Sequence, residues 1–259
     1  MIKIFRTIRQ RMLQENRFSR YFLYAIGEIV LVVIGIFLAL QLNNWNSDRK
    51  LEQSNIVLMN KLIGELDLNM ERIGYLDSLT NVNGVAKGYR TLLQTTDTAL
   101  VHVFNGLDTA EVLWLLENDL FMANNFNLHS SVYEEMISTG RFYTLGREGL
   151  TKQIDKYYKR LEREENYNQD RNHGVIELWT ECKYGWQDLN MDFSKLGKQA
   201  IRKHPWLFDP GSKHFLDLKA AIFMSNHVLS TNRDRLLALA QDSEDLILSI
   251  EAQIGASPE

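Results

Sequence analysis

Hydrophobic residues follow two patterns along the chain. Residues 21–42 form one run of 22 residues in which Glu28 is the only acidic or basic residue. After this run, apolar residues recur every three, four or seven positions, the spacing of one face of an α-helix. This spacing predicts long helices at about 47–80, 148–190 and 212–254. We therefore expect an all-α protein with one N-terminal transmembrane helix followed by an elongated helical bundle.

The segments between these helices carry turn and capping signals. Residues 95–108 are interpreted as a connection, and a short helix is predicted to begin at Asp108, because Glu111 three residues later completes a capping box. Pro205 and Pro210 forbid one continuous helix between the last two long segments. The chain has only 3 prolines and 15 glycines, which agrees with long helices rather than a turn-rich β-fold.

The apolar run has the length and flanks of a membrane anchor. At about 1.5 Å per residue it spans roughly 33 Å, enough to cross a hydrocarbon core of about 30 Å. Tyr21 lies at one edge and Trp45 at the other, as in an aromatic belt, and Arg17 and Arg20 precede the run. A cleavable signal peptide is the alternative, but its apolar region would be unusually long and no small-x-small cleavage site follows.

Charge sets the expected orientation. Residues 1–20 carry a net charge of +5 and the remaining chain −9. The basic residues predict a cytoplasmic head at 1–20, a transmembrane helix at 21–42 and an extracytoplasmic domain at 43–259. Apolar residues at helical spacing among the arginines suggest that the head lies on anionic lipid headgroups; alternatively, its charges only set the topology. The acidic remainder gives no reason to expect nucleic acid.

The N-terminal region also resembles a known family. A basic "ENRF-x-x-Y" segment, "YAIGEI-x-LVVIGI" within the apolar run and "NNWN" at its exit are similar to the opening of a family of uncharacterised single-pass membrane proteins of Gram-negative bacteria. The resemblance is dense over residues 9–46 and weaker over 133–145 and 154–161. It implies an inner-membrane anchor and a helical periplasmic domain, and it implies no catalytic residue.

Within the apolar run, a few residues suggest contact with another helix. Glu28 is costly in a membrane and needs a partner such as Tyr24 or a second subunit. Gly35 and Ala39 form a small-xxx-small step that lets another helix approach closely. The alternative is that Glu28 is shallow enough to be hydrated or protonated.

Known catalytic and metal-binding patterns are missing from the sequence. There is no HExxH, GxSxG, P-loop, GxGxxG or Glu-x-x-His motif. Cys182 is the only cysteine and falls on an apolar helix face, which favours an inert buried thiol. We therefore expect a protein without catalytic residues, cofactor or metal.

Two other features are candidates for binding. Residues 161–173 are almost entirely polar, and Ser225, Asn232 and Ser243 interrupt the apolar face of the last helix, either to fix helix register or to bind a ligand or partner. Aromatic residues also cluster near the 190–212 connection, where they form either a partner surface or the cap of the bundle. These are Trp179, Tyr184, Trp186, Trp206 and Phe208.

Three classes of function are compatible with these features. The favoured one is a non-catalytic accessory subunit that docks on a larger inner-membrane complex, through other integral membrane subunits or by self-association. The complex would be energy-transducing (respiratory or photosynthetic) or a secretion assembly. The alternative is a periplasmic ligand-sensing bundle that signals through a separate partner, and an enzyme is least favoured.

Overall fold

The computed structural model describes residues 18–79, 87–145 and 148–255, and for residues 18–21 and 23 it describes the backbone only. All regular structure in these ranges is helical, which confirms the all-α prediction. Seven α-helices are formed: α1 (Phe18–Ser78), α2 (Tyr89–Asn105), α3 (Thr109–Glu117), α4 (Ser131–Ser138), α5 (Glu148–Glu181), α6 (Trp186–Leu196) and α7 (Lys213–Gly255). Short 3-10 helices lie at Arg141–Thr144, Cys182–Tyr184, Gly197–Lys203 and Pro205–Phe208.

The chain divides between Val57 and Leu58 into two compact units. The first unit contains the apolar run, which lies within α1 and has a mean hydropathy of 2.5 over an 18-residue window. Apart from Leu23, whose side chain is not described, its large aliphatic side chains and phenylalanines from Phe22 to Leu42 are 42–71% exposed. Among the described residues, α1 alone is long and apolar enough to cross a membrane. The predicted apolar N-terminal helix is therefore confirmed, and it is a candidate membrane span.

The second unit is a helical bundle built on the antiparallel pair α5 and α7. Polar pairs tie the two helices together in opposite directions: Trp179 with Ser225, Asn172 with Asn232, and Tyr157 with Ser243. The helix predicted at 212–254 is α7. Apolar residues on the buried face of α7 are 0–4% exposed, among them Phe215, Ile222, Leu229, Leu236, Leu246 and Ile250.

The helix predicted at 148–190 is shorter than expected. It ends at Glu181, and after a 3-10 turn and Gly185 the chain starts the separate helix α6. Gly185 lies against the start of α7, since a Cβ atom at this position would be only 3.0 Å from the Cβ of His214. The turn therefore lies at a point with little room for a side chain. Trp186 and Leu189 stay buried after the turn, which is why the apolar spacing did not reveal it.

The interpretation of residues 95–108 as a connection is wrong, because most of them belong to α2. Leu92, Ala99 and Val103 of this helix are 0–2% exposed and pack in the core. The hydroxyl groups of Thr95 and Thr96 donate to backbone carbonyls one turn earlier, at 3.0 Å, so these β-branched polar residues are satisfied inside the helix.

In the second unit, the end of α1 and the whole of α2 lie one after the other along α7. Near the end of α1, Asp77 contacts Arg233, and in α2 Thr96 contacts Asn226. The two helices meet at Gly88, whose backbone N–H donates to the carbonyl of Leu79 at 2.7 Å. A Cβ atom at Gly88 would lie 2.7–2.8 Å from three backbone atoms of residues 76–79. This junction therefore needs glycine.

Candidate functional site

The membrane-helix residues singled out in the sequence lie on the exposed part of α1. Gly35 and Ala39 are both exposed, and a Cβ atom on Gly35 would have no neighbour within 4 Å. Tyr24 and Glu28 are partly buried, and each takes part in an interaction within the structure. Glu28 therefore supplies no argument for a partner from another chain.

The structure describes only some of the expected membrane-interface anchors. Trp45 is 63% exposed, as an interfacial residue would be. Arg17 and the side chains of Arg20 and Tyr21 lie outside the described residues, as does the rest of the basic head. Its contact with anionic lipid remains a prediction.

The aromatic cluster is mainly part of the bundle. Trp186 is 8% exposed, and Trp179 and Trp206 pack against the same apolar core. Of the two alternatives, this packing favours the cap of the bundle for the three tryptophans. Tyr184 and Phe208 are exposed, at 70% and 45%.

Polar residues of α5, in the stretch 161–173, form hydrogen bonds with the irregular segment between α3 and α4. Asn168 and Asn172, which are 0% and 3% exposed, both donate to the backbone carbonyl of Asn124 at 3.2 Å. Tyr89 donates to the same carbonyl at 2.7 Å. Glu165 accepts from the backbone N–H of Leu128 at 2.7 Å. Hydrogen bonds within the chain thus account for Glu165, Asn172 and the amide N–H of Asn168, whereas the buried Oδ1 atom of Asn168 has no partner among the described residues.

Two polar residues of α1 form hydrogen bonds with the same segment and with the start of α4. Asn69 is fully buried and pairs with both backbone groups of His129, at 2.9 and 2.6 Å. Glu65, 3% exposed, accepts hydrogen bonds from the side chain of Ser131 and the backbone N–H of Val132, at the start of α4. Its other oxygen accepts from Tyr158 at 2.8 Å. These side chains supply the hydrogen-bond partners that the backbone N–H and C=O groups of the segment would otherwise find in a helix or sheet.

Asp77 is the centre of an ion cluster. Its carboxylate accepts from Arg233 at 2.6 Å and from Arg90 at 2.7 Å. Burial would raise the pKa of the Asp77 carboxyl, but the hydrogen bonds and charges of the two arginines outweigh burial and hold the pKa below its ordinary value. Asp77 therefore ties α1, α2 and α7 together as an anion.

Cys182 and His204 both lie inside the bundle. Burial raises the pKa of the Cys182 thiol to about 11, so it is a buried, unreactive thiol as predicted. His204 contacts Asp192 at 3.1 Å and accepts from the indole N–H of Trp206 at 3.3 Å, within the bundle. In the part of the chain that the structure describes, no group of three or more His, Cys, Asp or Glu could hold a metal ion.

The structure also presents an apolar surface that the sequence analysis missed. Val101 and Phe104 of α2 are 59% and 61% exposed, and Leu216 and Phe223 of the neighbouring helix α7 are 51% and 53% exposed. We call these four residues the Phe104 stripe. The sequence did contain a signal for it: Leu216 and Phe223 directly follow the core residues Phe215 and Ile222. These pairs make the apolar face of α7 wider than the core needs.

The stripe lies across two neighbouring helices. The Nζ atom of Lys219 lies 3.7 Å from the ring centroid of Phe104, and Asn226 donates to Asp97 at 2.8 Å. The two contacts fix an antiparallel register that brings Val101 to the level of Phe223. Such neighbouring exposed apolar side chains are typical of surfaces that another molecule covers.

Comparisons with known proteins give a family and no activity. The model of a family of unknown function, DUF6090, matches residues 28–175, which is more than half of the chain. No curated protein and no solved structure matches the chain.

Proposed function

This chain belongs to DUF6090, a family of unknown function, and we propose that it is a membrane-anchored, non-catalytic accessory subunit that docks on a larger inner-membrane protein complex. In this proposal α1 crosses the inner membrane with its basic N-terminus in the cytoplasm, and the second unit works in the periplasm. The net charge of +5 on residues 1–20 supports this orientation.

The Phe104 stripe is the observation that carries the proposal. A folded unit buries apolar side chains when it can, and the second unit keeps more than 40 of them in its core. Four large apolar side chains on two adjacent helices nevertheless remain more than half exposed. A partner protein that covers them would gain the free energy of burying this apolar area.

The exposed face of α1 supports a second contact inside the membrane. The open space at Gly35, next to the exposed Ala39 one turn later, permits close approach of another transmembrane helix. Anchoring also raises the effective concentration of the second unit at a membrane-bound partner. Weak contacts at the two surfaces therefore add up to stable association.

Purification from native membranes in a mild detergent, with mass spectrometry of the co-migrating proteins, tests the proposal. We expect Phe104→Ser combined with Phe223→Ser to reduce the recovered partner at least tenfold. Leu237→Ser combined with Leu248→Ser is the matched control, because these residues are exposed on α7 outside the stripe. Equal recovery with both pairs would overturn the stripe as the docking surface.

The membrane contact is tested in the same way with one added side chain. Gly35→Leu should reduce recovery by steric blocking, whereas Val33→Leu, about 200° away around the helix, should not. If both the Phe104/Phe223 pair and Gly35→Leu leave a specific, stoichiometric partner bound, neither surface is the interface. If wild type has no such partner, the accessory-subunit proposal fails.

A further inference from the structure

A cavity of about 400 Å³ opens on the second unit beside Trp179 and Trp186. It lies between the end of α3, the following segment at Phe121, the end of α5 and the first turns of α6. The volume falls in the range of pockets that hold small molecules. The cavity is separate from the Phe104 stripe, which lies on α2 and α7.

Three aromatic residues contribute to its wall. The rings of Trp179 and Trp186 are 6.3 Å apart between centroids and tilted by 55°, and Phe121 lines the same cavity. The indole N–H of Trp179 donates to Ser225 at 2.9 Å, which holds the ring in place and uses its only donor. The lining also includes the polar side chains of Asn118, Asp119, Thr180 and Asn190. Ring faces carry negative quadrupole density and attract cations.

The carboxylate of the lining favours positive charge. Helices α3 and α5 end here, at Glu117 and Glu181, and helix α6 begins here at Trp186, so helix ends of both signs lie in this region. Asp119 is the only charged residue of the lining, and no lysine or arginine contributes to it. Asp119 also pairs with Lys87 at 3.4 Å, but its side chain stays 57% exposed.

Two asparagines add acceptors to the same lining. Asn118 and Asn190 each donate their side-chain N–H to a backbone carbonyl, of Trp114 at 2.8 Å and of Trp186 at 2.9 Å. Each amide group keeps a second N–H and an oxygen, so both asparagines can donate or accept. The lining thus combines apolar side chains, aromatic rings and hydrogen-bonding groups.

We propose that this cavity binds a small organic cation, namely an ammonium or quaternary ammonium ion with an apolar body. The apolar body would contact Leu116 and Ile176, and the charged group would lie against the tryptophan rings. Anions are disfavoured by Asp119. The accessory subunit would then carry a ligand site of its own, and this inference does not depend on the docking surfaces proposed above.

The test uses the full-length protein in an uncharged maltoside detergent and three probes of similar size. Benzyltrimethylammonium is the cationic probe, benzyl alcohol the neutral one and benzoate the anionic one. Tryptophan fluorescence and calorimetry should detect saturable binding of benzyltrimethylammonium, at least tenfold tighter than benzyl alcohol, and no saturable binding of benzoate. Equal affinity for the cationic and neutral probes, or absence of saturable binding, would overturn the proposal.

A matched pair of lysine substitutions locates the site. Thr180→Lys adds a positive charge at an exposed position of the lining and should weaken binding of benzyltrimethylammonium at least tenfold. Gln169→Lys adds the same charge at an exposed position of the same helix, away from the cavity, and should leave binding unchanged. Unchanged melting temperatures of both variants show that the fold is intact. Equal effects of both lysines would place the probe elsewhere and refute the assignment.

Discussion

The two halves of α1 use the same apolar amino acids in opposite ways. Among the described side chains between Phe22 and Leu42, the large aliphatic residues and phenylalanines are 42–71% exposed. Between Leu58 and Leu76 the leucines of the apolar face and Ile73 are 0–4% exposed, and the outer face is mostly polar, with Leu68 and Tyr75 as exceptions. The first half thus suits a lipid environment, and the second suits water on one side and a protein core on the other.

The comparison also extends to polar groups. In the second half Glu65, Asn69 and Asp77 are buried, but each has hydrogen-bond partners on other segments of the second unit. A buried polar group is tolerated only when it is paired. Burial of the second half is therefore specific to one arrangement of the bundle, whereas most described residues of the first half are exposed.

An aspartate substitution in each half of α1 is the strongest test of their different surroundings. Leu66 is fully buried, so Leu66→Asp should lower the free energy of unfolding of the second unit by about 4 kcal/mol or more, through an unpaired buried charge. Leu68→Asp, two residues away at a 51% exposed position, is the matched control and should change it by less than about 1 kcal/mol. Thermal unfolding of the full chain in detergent, followed by near-UV circular dichroism, measures both effects.

The same substitution in the first half should have a different consequence. Leu38→Asp should cost about 3 kcal/mol of membrane insertion and leave unfolding of the second unit unchanged. Extraction of membranes at alkaline pH measures the insertion. If Leu38→Asp destabilised the second unit, or Leu66→Asp released the protein from membranes, the two halves would not have the separate roles described here.

The different surroundings of the two halves were predictable from the sequence, because hydrophobic spacing reports directly on burial. The spacing of Leu58, Leu62, Leu66, Ile73 and Leu76 identified the buried face correctly, whereas Leu51, which was predicted on the same face, is 44% exposed. Asp108 and Glu111 form the predicted capping box, since both of its hydrogen bonds are local. Local patterns were sufficient wherever one helix determined the outcome.

Features that depend on distant segments were not predictable. The polar letters of α5 gave no sign that their partner would be the backbone of Asn124, 44 residues away from Asn168. The packing of Trp179 and Trp186 depends on the turn at Gly185 before α6, where His214 leaves little room for a side chain. The cavity beside these tryptophans and the Phe104 stripe likewise arise only when separate helices come together.

A smaller effect should sharpen the comparison of buried polar groups. Asp77→Asn removes the anion that Arg90 and Arg233 bind, and we expect a loss of about 2 kcal/mol at pH 7. Because the folded state lowers the pKa of Asp77, its stabilisation is present above the unfolded pKa and is lost as pH falls through the folded value. The difference between wild type and variant should therefore shrink below about pH 4.

Asp67→Asn is the matched control for this experiment, because Asp67 is exposed on the same helix. It should change the free energy of unfolding by less than about 0.5 kcal/mol at pH 7. A pH-independent loss in Asp77→Asn would mean that the ion cluster does not supply the stability attributed to it.

The smallest effects concern two glycines that a sequence does not distinguish. Gly64 is exposed within the second half of α1, and a Cβ atom there would have no neighbour within 4 Å. Gly64→Ala should therefore stabilise the second unit by about 0.5–1 kcal/mol, because alanine loses less conformational freedom in a helix. At Gly88, a Cβ atom would meet three backbone atoms at 2.7–2.8 Å, so Gly88→Ala should destabilise by about 1–3 kcal/mol. Opposite signs in the same unfolding assay would support the tight junction between α1 and α2, whereas equal stabilisation by both substitutions would mean that the junction has room for a side chain.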